Sequence, residues 1–234
     1  HTAFRGIARP DAGPQAPTMR PTALGASTAE EARMLVAEIA DTNAAFVKIW
    51  VDDRGGSVDK LTPDLYGPII QTAHERDLRV IAHIFYAEDA RELVEAGVDG
   101  FAHLARDVEM DDALVAAIVE HDVFVMPNLA VSERGRNADP PGWVNDPLLA
   151  ESVSPEVIGR IRESYINRTP EAAAQGTESF ATMLRSLKKL ADAGARLVLG
   201  ADTGIQNHIQ GYMEHHELEL IVEAGISPAR TIQI

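Results

Sequence analysis

The chain has 234 residues, 45% apolar and 24% charged, enough length and apolar content for one large globular domain. Its formal net charge of −15 repels nucleic acid and anionic membrane surfaces, which argues against both as partners. It contains no cysteine, so disulfides and thiolate metal sites are excluded, and any metal must be held by His, carboxylate or modified Lys. No apolar run approaches the roughly 20 residues that span a bilayer. The first residue is His1, and no signal-peptide pattern follows it. The compartment stays open on this reading: a soluble protein, cytoplasmic or exported after loss of a leader.

In chain order, residues 1–27 are rich in Pro, Gly and Ala with little periodicity, and are predicted to form an extended loop. A helix starts at Thr28, where Thr28-Ala-Glu-Glu31 is a capping box, and carries Leu35, Val36 and Ile39. It feeds residues 45–51, an apolar, β-branched and aromatic run that reads as a buried strand with Lys48 set into it. Asp52-Asp-Arg-Gly-Gly56 follows, and then Thr62-Pro63, a cap and first-turn proline opening a helix with Leu65, Ile69, Ile70 and Ala73 on one face.

The unit then repeats. Strand 79–85 carries His83, helix 87–96 is closed by Gly97, and strand 100–104 carries His103. Helix 111–121 turns Leu114, Val115, Ile118 and Val119 inward, and strand 123–127 follows it. Residues 128–154 read as a long insertion, residues 155–167 and 170–193 as helices, residues 197–204 as a strand with Asp202, and residues 212–223 as a last helix stopped by Gly225.

Parallel strands alternating with helices leave two architectures, a closed barrel or an open doubly wound sheet. Gly55-Gly56 lacks the spacing of a dinucleotide fingerprint, and no phosphate loop follows a strand. Chemistry-bearing residues at the carboxyl ends of several strands favour the barrel. The expected fold is α/β, a (β/α)8 TIM barrel in one domain over residues 1–234. Five clear units fall short of eight, so the missing strands are expected at the N-terminal side.

A lysine in an apolar strand must have its charge paired, neutralised or chemically modified. Singly, Lys48 has an ordinary explanation as a snorkelling side chain, His83 and His103 as hydrogen-bonded core histidines, and Asp202 as a helix cap. Four such residues at the same end of successive strands point to one metal site.

Phe46-Val-Lys-Ile-Trp50, Ala82-His83, Phe101-Ala-His103 and Gly200-Ala-Asp-Thr-Gly204, in this order, resemble the metal-dependent amidohydrolase superfamily, in its branch of imidazolonepropionase-like and prolidase-like enzymes. The helix around His216-Glu-Leu-Glu-Leu-Ile-Val-Glu-Ala-Gly225 matches the same branch. The resemblance implies two divalent metals, usually zinc, at the strand ends. It makes Lys48 a carboxylated lysine bridging them, His83 and His103 ligands of the second, and Asp202 a ligand of the first that also moves the proton. An uncharged amine is what reacts with carbon dioxide to give the carbamate, and neutral imidazoles suit zinc, nickel, iron or cobalt. The implied activity is hydrolysis of an amide or peptide bond in a small molecule, an acyl-amino acid, dipeptide or cyclic amide. The superfamily's first-strand His-x-His pair and its small β-sandwich have no counterpart here, so the chain is expected to be an internal part of such an enzyme.

Secondary candidates lie on the loops after the strands. Arg54 offers a planar fork for a substrate carboxylate, Tyr86 holds a similar position, Asn128 ends a strand, and His216 reaches the site mouth. His74, His121 and His208 are expected to face solvent, as is the acidic run from Glu214 to Glu219. Two other readings stay in play: a Schiff-base lyase or aldolase with Lys48 as nucleophile, and a truncated barrel without catalysis. A homo-oligomer is compatible with the composition.

Overall fold

The computed structural model describes residues 6–10, 12, 23–205 and 207–234. Six parallel strands form one sheet: β1 (Gly6–Ala8), β2 (Ala23–Gly25), β3 (Phe46–Val51), β4 (Arg79–Ile84), β5 (Gly100–Ala102) and β6 (Phe124–Met126). Their order across the sheet is β2-β1-β3-β4-β5-β6. Leu197 adds an isolated parallel bridge to Val125, so the chain continues past the β6 edge without forming a full strand. From β3 to β6 the spatial order follows the chain, as along an arc of a barrel, while β2 lies on the far side of β1, so the order reverses once, between β2 and β3.

Two strands fall inside the segment predicted as loop. Of that segment, residues 1–5, 11 and 13–22 lie outside the described residues, while β1 and β2 pair with each other and β1 with β3. Three-residue strands are too short to show a period of two, so their pairing partners decide them.

The helices are α1 (Ala29–Asp41), α2 (Pro63–His74), α3 (Ala87–Glu95), α4 (Asp112–Glu120), α5 (Leu129–Glu133), α6 (Pro147–Ser152), α7 (Pro155–Glu163), α8 (Pro170–Asp192), α9 (Tyr212–Glu223) and α10 (Pro228–Thr231). The predicted capping box forms at α1: Thr28 Oγ1 accepts from Glu31 N at 3.2 Å, and Glu31 accepts from the Thr28 and Ser27 amides at 3.2 and 2.8 Å. At α2 the Thr62 hydroxyl donates to the Asp64 carboxylate instead of capping the helix. The predicted insertion is partly helical, holding α5, two short 3-10 turns and α6. Val119 is 37% exposed, not inward, because α4 presents only Leu114, Val115 and Ile118 to the core. Among the described residues no helix is long and apolar enough to cross a membrane.

The two faces of the sheet are packed differently, and this positions the site. Val47, Ile49 and Val51 of β3, with Val80, Ala82, Ile84, Phe101 and Val125, join the helices in one large core. The opposite face carries a separate small cluster of Ile81, Ala102 and Phe124, with Phe46 and Val198 against it. The in-register pairs Lys48↔Ile81 and Trp50↔His83 put Lys48 and His83 on that second face. In a barrel this is the interior face, and Lys48 sits one layer below His83.

Helix α8 meets the 3-10 turn 134–136 backbone to backbone. A Cβ on Gly176 would stand 1.9 Å from Gly135 O, whereas one on Gly159 in α7 would meet nothing within 4 Å. Alanine in place of a helical glycine ordinarily gains about 0.5–1 kcal/mol, but a clash with rigid backbone costs about 1–3 kcal/mol. Gly176→Ala is expected to lower the melting temperature and Gly159→Ala to raise it, as thermal unfolding of the two variants will read.

Candidate active site

Parallel strands send their carboxyl ends to one rim, and the rim gathers the predicted residues. The rings of His83, in β4, and His103, just past β5, lie edge to face with centroids 4.5 Å apart. The loop beyond Leu197 brings Asp202 Oδ2 to 3.9 Å from His103 Nε2. Lys48 lies deeper, its amine 6.0 Å from the centre of the Trp50 ring and within electrostatic reach of His83, His103 and Asp202. Gly6 of β1 makes room beside it, since a Cβ there would stand 2.4 Å from the Trp50 ring and 2.5 Å from Lys48 O. His103 and Asp202 both take positive φ, 85° and 52°, a conformation expensive for side-chain-bearing residues and concentrated at functional positions.

Burial dominates the proton equilibria. It pushes the Lys48 amine down to about 8, with the Asp202 charge pulling the other way. Burial also lowers His83, against the hydrogen bond from its Nε2–H to Asp52 Oδ2 at 3.2 Å. His103, 3% exposed, is held well below the usual imidazole value by burial and by the charges of its cationic neighbours. Burial would raise the Asp52 carboxyl, but the bonds from His83 and from the Arg54 amide hold it below the ordinary carboxylate range. The outcome is two neutral imidazoles beside carboxylates, the protonation pattern that metal ligands need.

Among the described residues, no group of three or more His, Asp and Glu is gathered closely enough to hold a metal as it stands. The donors nevertheless fit a divalent cation in kind. Asn128 Oδ1 is a buried acceptor without a hydrogen-bond partner, and His103, whose Nε2 faces Asp202, has its Nδ1 buried and likewise unpartnered. The 3.9 Å between His103 and Asp202 is too long for a hydrogen bond. It is close to the roughly 3.3 Å that separates two ligands each about 2.0–2.1 Å from one tetrahedral ion. Asp52 stands behind His83 as the orienting carboxylates behind ligating histidines do.

The other predicted residues are placed as follows. Asn128 is 2% exposed in the left-handed conformation at the end of β6. Arg54 lies at the surface, its guanidinium donating to Ala12 O at 2.8 Å. Tyr86 donates to Asp53 at 2.7 Å, which pushes its hydroxyl up to about 12. His216 is buried, with Nε2 2.8 Å from Glu133 and Nδ1 2.8 Å from Glu219. Carboxylates accept only, so both ring nitrogens donate and His216 is an imidazolium. Burial works against that charge, but the Glu133 and Glu219 bonds outweigh it and raise the pKa.

His208, expected in solvent, lines a cavity of about 410 Å³ with Trp143, Tyr165 and Ile161, and its Nδ1 is buried and unpartnered. Three residues were not singled out from sequence: Glu133, Trp143, whose Nε1 donates to Glu133 at 3.0 Å, and Arg106. Their only sequence signal was position on a loop after a strand.

No family model matches the sequence. Uncharacterized proteins of Mycobacterium bovis and Mycobacterium tuberculosis are 26% identical over 173 residues, 72% of this chain and 40% of theirs. Among solved structures, a Xaa-Pro dipeptidase with methionine in its active site aligns with a TM-score of 0.66 and 18% identity, over 97% of this chain and 53% of that one. A. niger ochratoxinase aligns with a TM-score of 0.69 and 16% identity, over 98% and 51%. Bottromycin amidohydrolase aligns with a TM-score of 0.66 and 18% identity, over 95% and 50%. The chain thus spans about half the length of the solved structures it matches, and less of the mycobacterial relatives. At these identities the likeness is one of fold: the chain shares the fold of about half of each of these structures, with a putative prolidase and an amidohydrolase also among those it resembles.

Glu217 anchors the β6 rim, accepting the Leu129 and Ala130 amides at 2.8 and 2.7 Å. Burial outweighs those bonds and raises its pKa from 4.5 to about 7. A folded-state pKa above the unfolded one means that this group's contribution to stability is largest below pH 4.5 and declines as pH rises through 7. Glu217→Gln is expected to flatten the stability profile across that window and to cost about 1–3 kcal/mol, because an amide hydrogen loses its acceptor. Denaturant melts of both proteins across this pH range will check it.

Proposed function

We propose that the protein is a metal-assisted hydrolase of an amide or peptide bond in a small molecule such as an acyl-amino acid or dipeptide. The observation that carries this reading is the pairing of the His83 and His103 rings 4.5 Å apart, with Asp202 3.9 Å from His103 and the buried Lys48 amine within electrostatic reach of all three. The fold likeness to a Xaa-Pro dipeptidase and to amidohydrolases supports it.

On this reading His83, His103 and Asp202 hold a divalent cation, zinc by the superfamily's habit, with Lys48 as a further oxygen ligand once its amine is carboxylated. The amine would attack carbon dioxide, form the N–C bond and release one proton, and its lowered pKa supplies the uncharged form that this needs. When bound, the metal supplies Lewis acidity toward a carbonyl oxygen and toward water. Asp202, partly exposed, takes a proton from the attacking water and delivers it to the amide nitrogen as the C–N bond breaks. Asp52 keeps the His83 ring oriented.

Asp202→Asn in the full-length protein is expected to lower kcat about 10²–10⁴-fold, the range of one general acid–base group. Lys48→Ala should abolish turnover and metal uptake together, with partial rescue of both by short carboxylic acids that replace the carbamate oxygens. Metal content and hydrolysis of a panel of acyl-amino acids and dipeptides measure this. Unchanged turnover in Lys48→Ala would remove the lysine from the mechanism. A Schiff-base enzyme would also use an amine of lowered pKa, and borohydride trapping of Lys48 on a carbonyl substrate separates the two, since a carbamate is not trapped.

A further inference from the structure

Three residues past His103, Arg106 opens onto a second cavity of about 300 Å³, between α8 and the 3-10 turn 134–136. Its polar lining comes from Arg106, Arg134, Arg168, Ser132 and Ser179, with Phe180 beside them. In a chain of net charge −15, this wall has three arginines and no carboxylate.

Two of the arginines are already engaged. Arg168 donates from Nε to Asn137 O at 2.8 Å and from Nη2 to Gly135 O at 2.6 Å, and Arg134 donates to Ser164 O. Arg106 differs: its Nε is buried without a hydrogen-bond partner, and its guanidinium packs 5.7 Å from the centre of the Phe85 ring. Its backbone is pinned on both sides, the amide donating to Phe85 O at 2.8 Å and the carbonyl accepting from Ser179 Oγ at 2.8 Å. The guanidinium feels the charges of Asp52 and Asp202, while its Nε keeps a donor to spare. Ser132 Oγ, on the same wall, is also buried and unpartnered.

A buried charged donor without a partner is costly, and an anion is the group that best meets it. The planar fork of an arginine matches a carboxylate. Val131 and Arg134 also line the 410 Å³ cavity, where Trp143, Ile161 and Tyr165 stand beside Glu133, Asn207 and His208, so a chamber of aromatic and polar side chains adjoins the cationic one.

The geometry points to a carboxylate subsite: Arg106, with Ser132, holds the free carboxylate of an acyl-amino acid or dipeptide, and the adjoining aromatic cavity takes its apolar side chain. The identity of the ligand rests on the hydrolase reading above; the binding of a carboxylate does not.

The test uses the full-length protein with N-acetyl-leucine and its uncharged amide, N-acetyl-leucinamide, titrated by calorimetry. The acid is expected to bind at least ten-fold tighter than the amide. Arg106→Met should collapse that ratio toward one, and Arg106→Lys, which keeps charge but not the fork, should keep part of it. The same ratio in kcat/KM should move in parallel. Equal binding of acid and amide by the unaltered protein would overturn the subsite, as would both variants weakening acid and amide alike. Acid-selective binding lost in Arg106→Met without any turnover would uphold the subsite while the hydrolase reading fails. Turnover with an acid preference indifferent to Arg106 would do the reverse.

Discussion

A lysine on the interior face of a parallel sheet sets the terms for this molecule. Its strand is apolar on both faces, and the pairing Lys48↔Ile81 leaves no register in which the amine could reach the outer surface. A charge there must be met or removed. The neighbours at the rim, two imidazoles and Asp202, share that face because β3 and β4 run in the same direction and in register, and because the loops after β5 and past Leu197 turn over it.

The protein treats its buried histidines in two opposite ways, for reasons visible in their partners. His83 and His103 face a carboxylate on at most one nitrogen and lie near cationic groups, so burial wins and they stay neutral. His216 has a carboxylate 2.8 Å from each nitrogen, so it stays charged although buried, and it ties α9 to Glu133 at the end of α5. The first arrangement suits a ligand or a base. The second is a strut, joined by Arg136 through its ion pairs with Glu133 and Glu223.

Between rim and strut lies the segment read as an insertion. Its short helices are held by long-range bonds, Glu217 to Leu129 and Ala130, Arg168 to Gly135 and Asn137, and the close approach of Gly135 and Gly176. These contacts wall off the cavities next to the rim, where a barrel enzyme keeps its specificity.

Much was legible in the chain itself. Apolar runs, the capping box at Thr28 and the glycine stops marked most helices and the four strands β3 to β6, because periodicity and capping are local physics. The same reading selected Lys48, His83, His103 and Asp202, since a polar residue at the end of an apolar strand is conspicuous wherever it points. Strands β1 and β2 were not legible, being short pieces of a Pro-, Gly- and Ala-rich stretch with no helix signal before them, whereas the equally short β5 and β6 each follow a predicted helix. Nor could the chain alone tell that Arg54 anchors to Ala12, that His208 lines a cavity, or that Arg106 has a buried nitrogen without a partner. Each depends on which atoms from distant segments arrive within about 3 Å of a polar group. Only the packed chain decides that, because hydrogen-bond partners and burial are properties of neighbours in space.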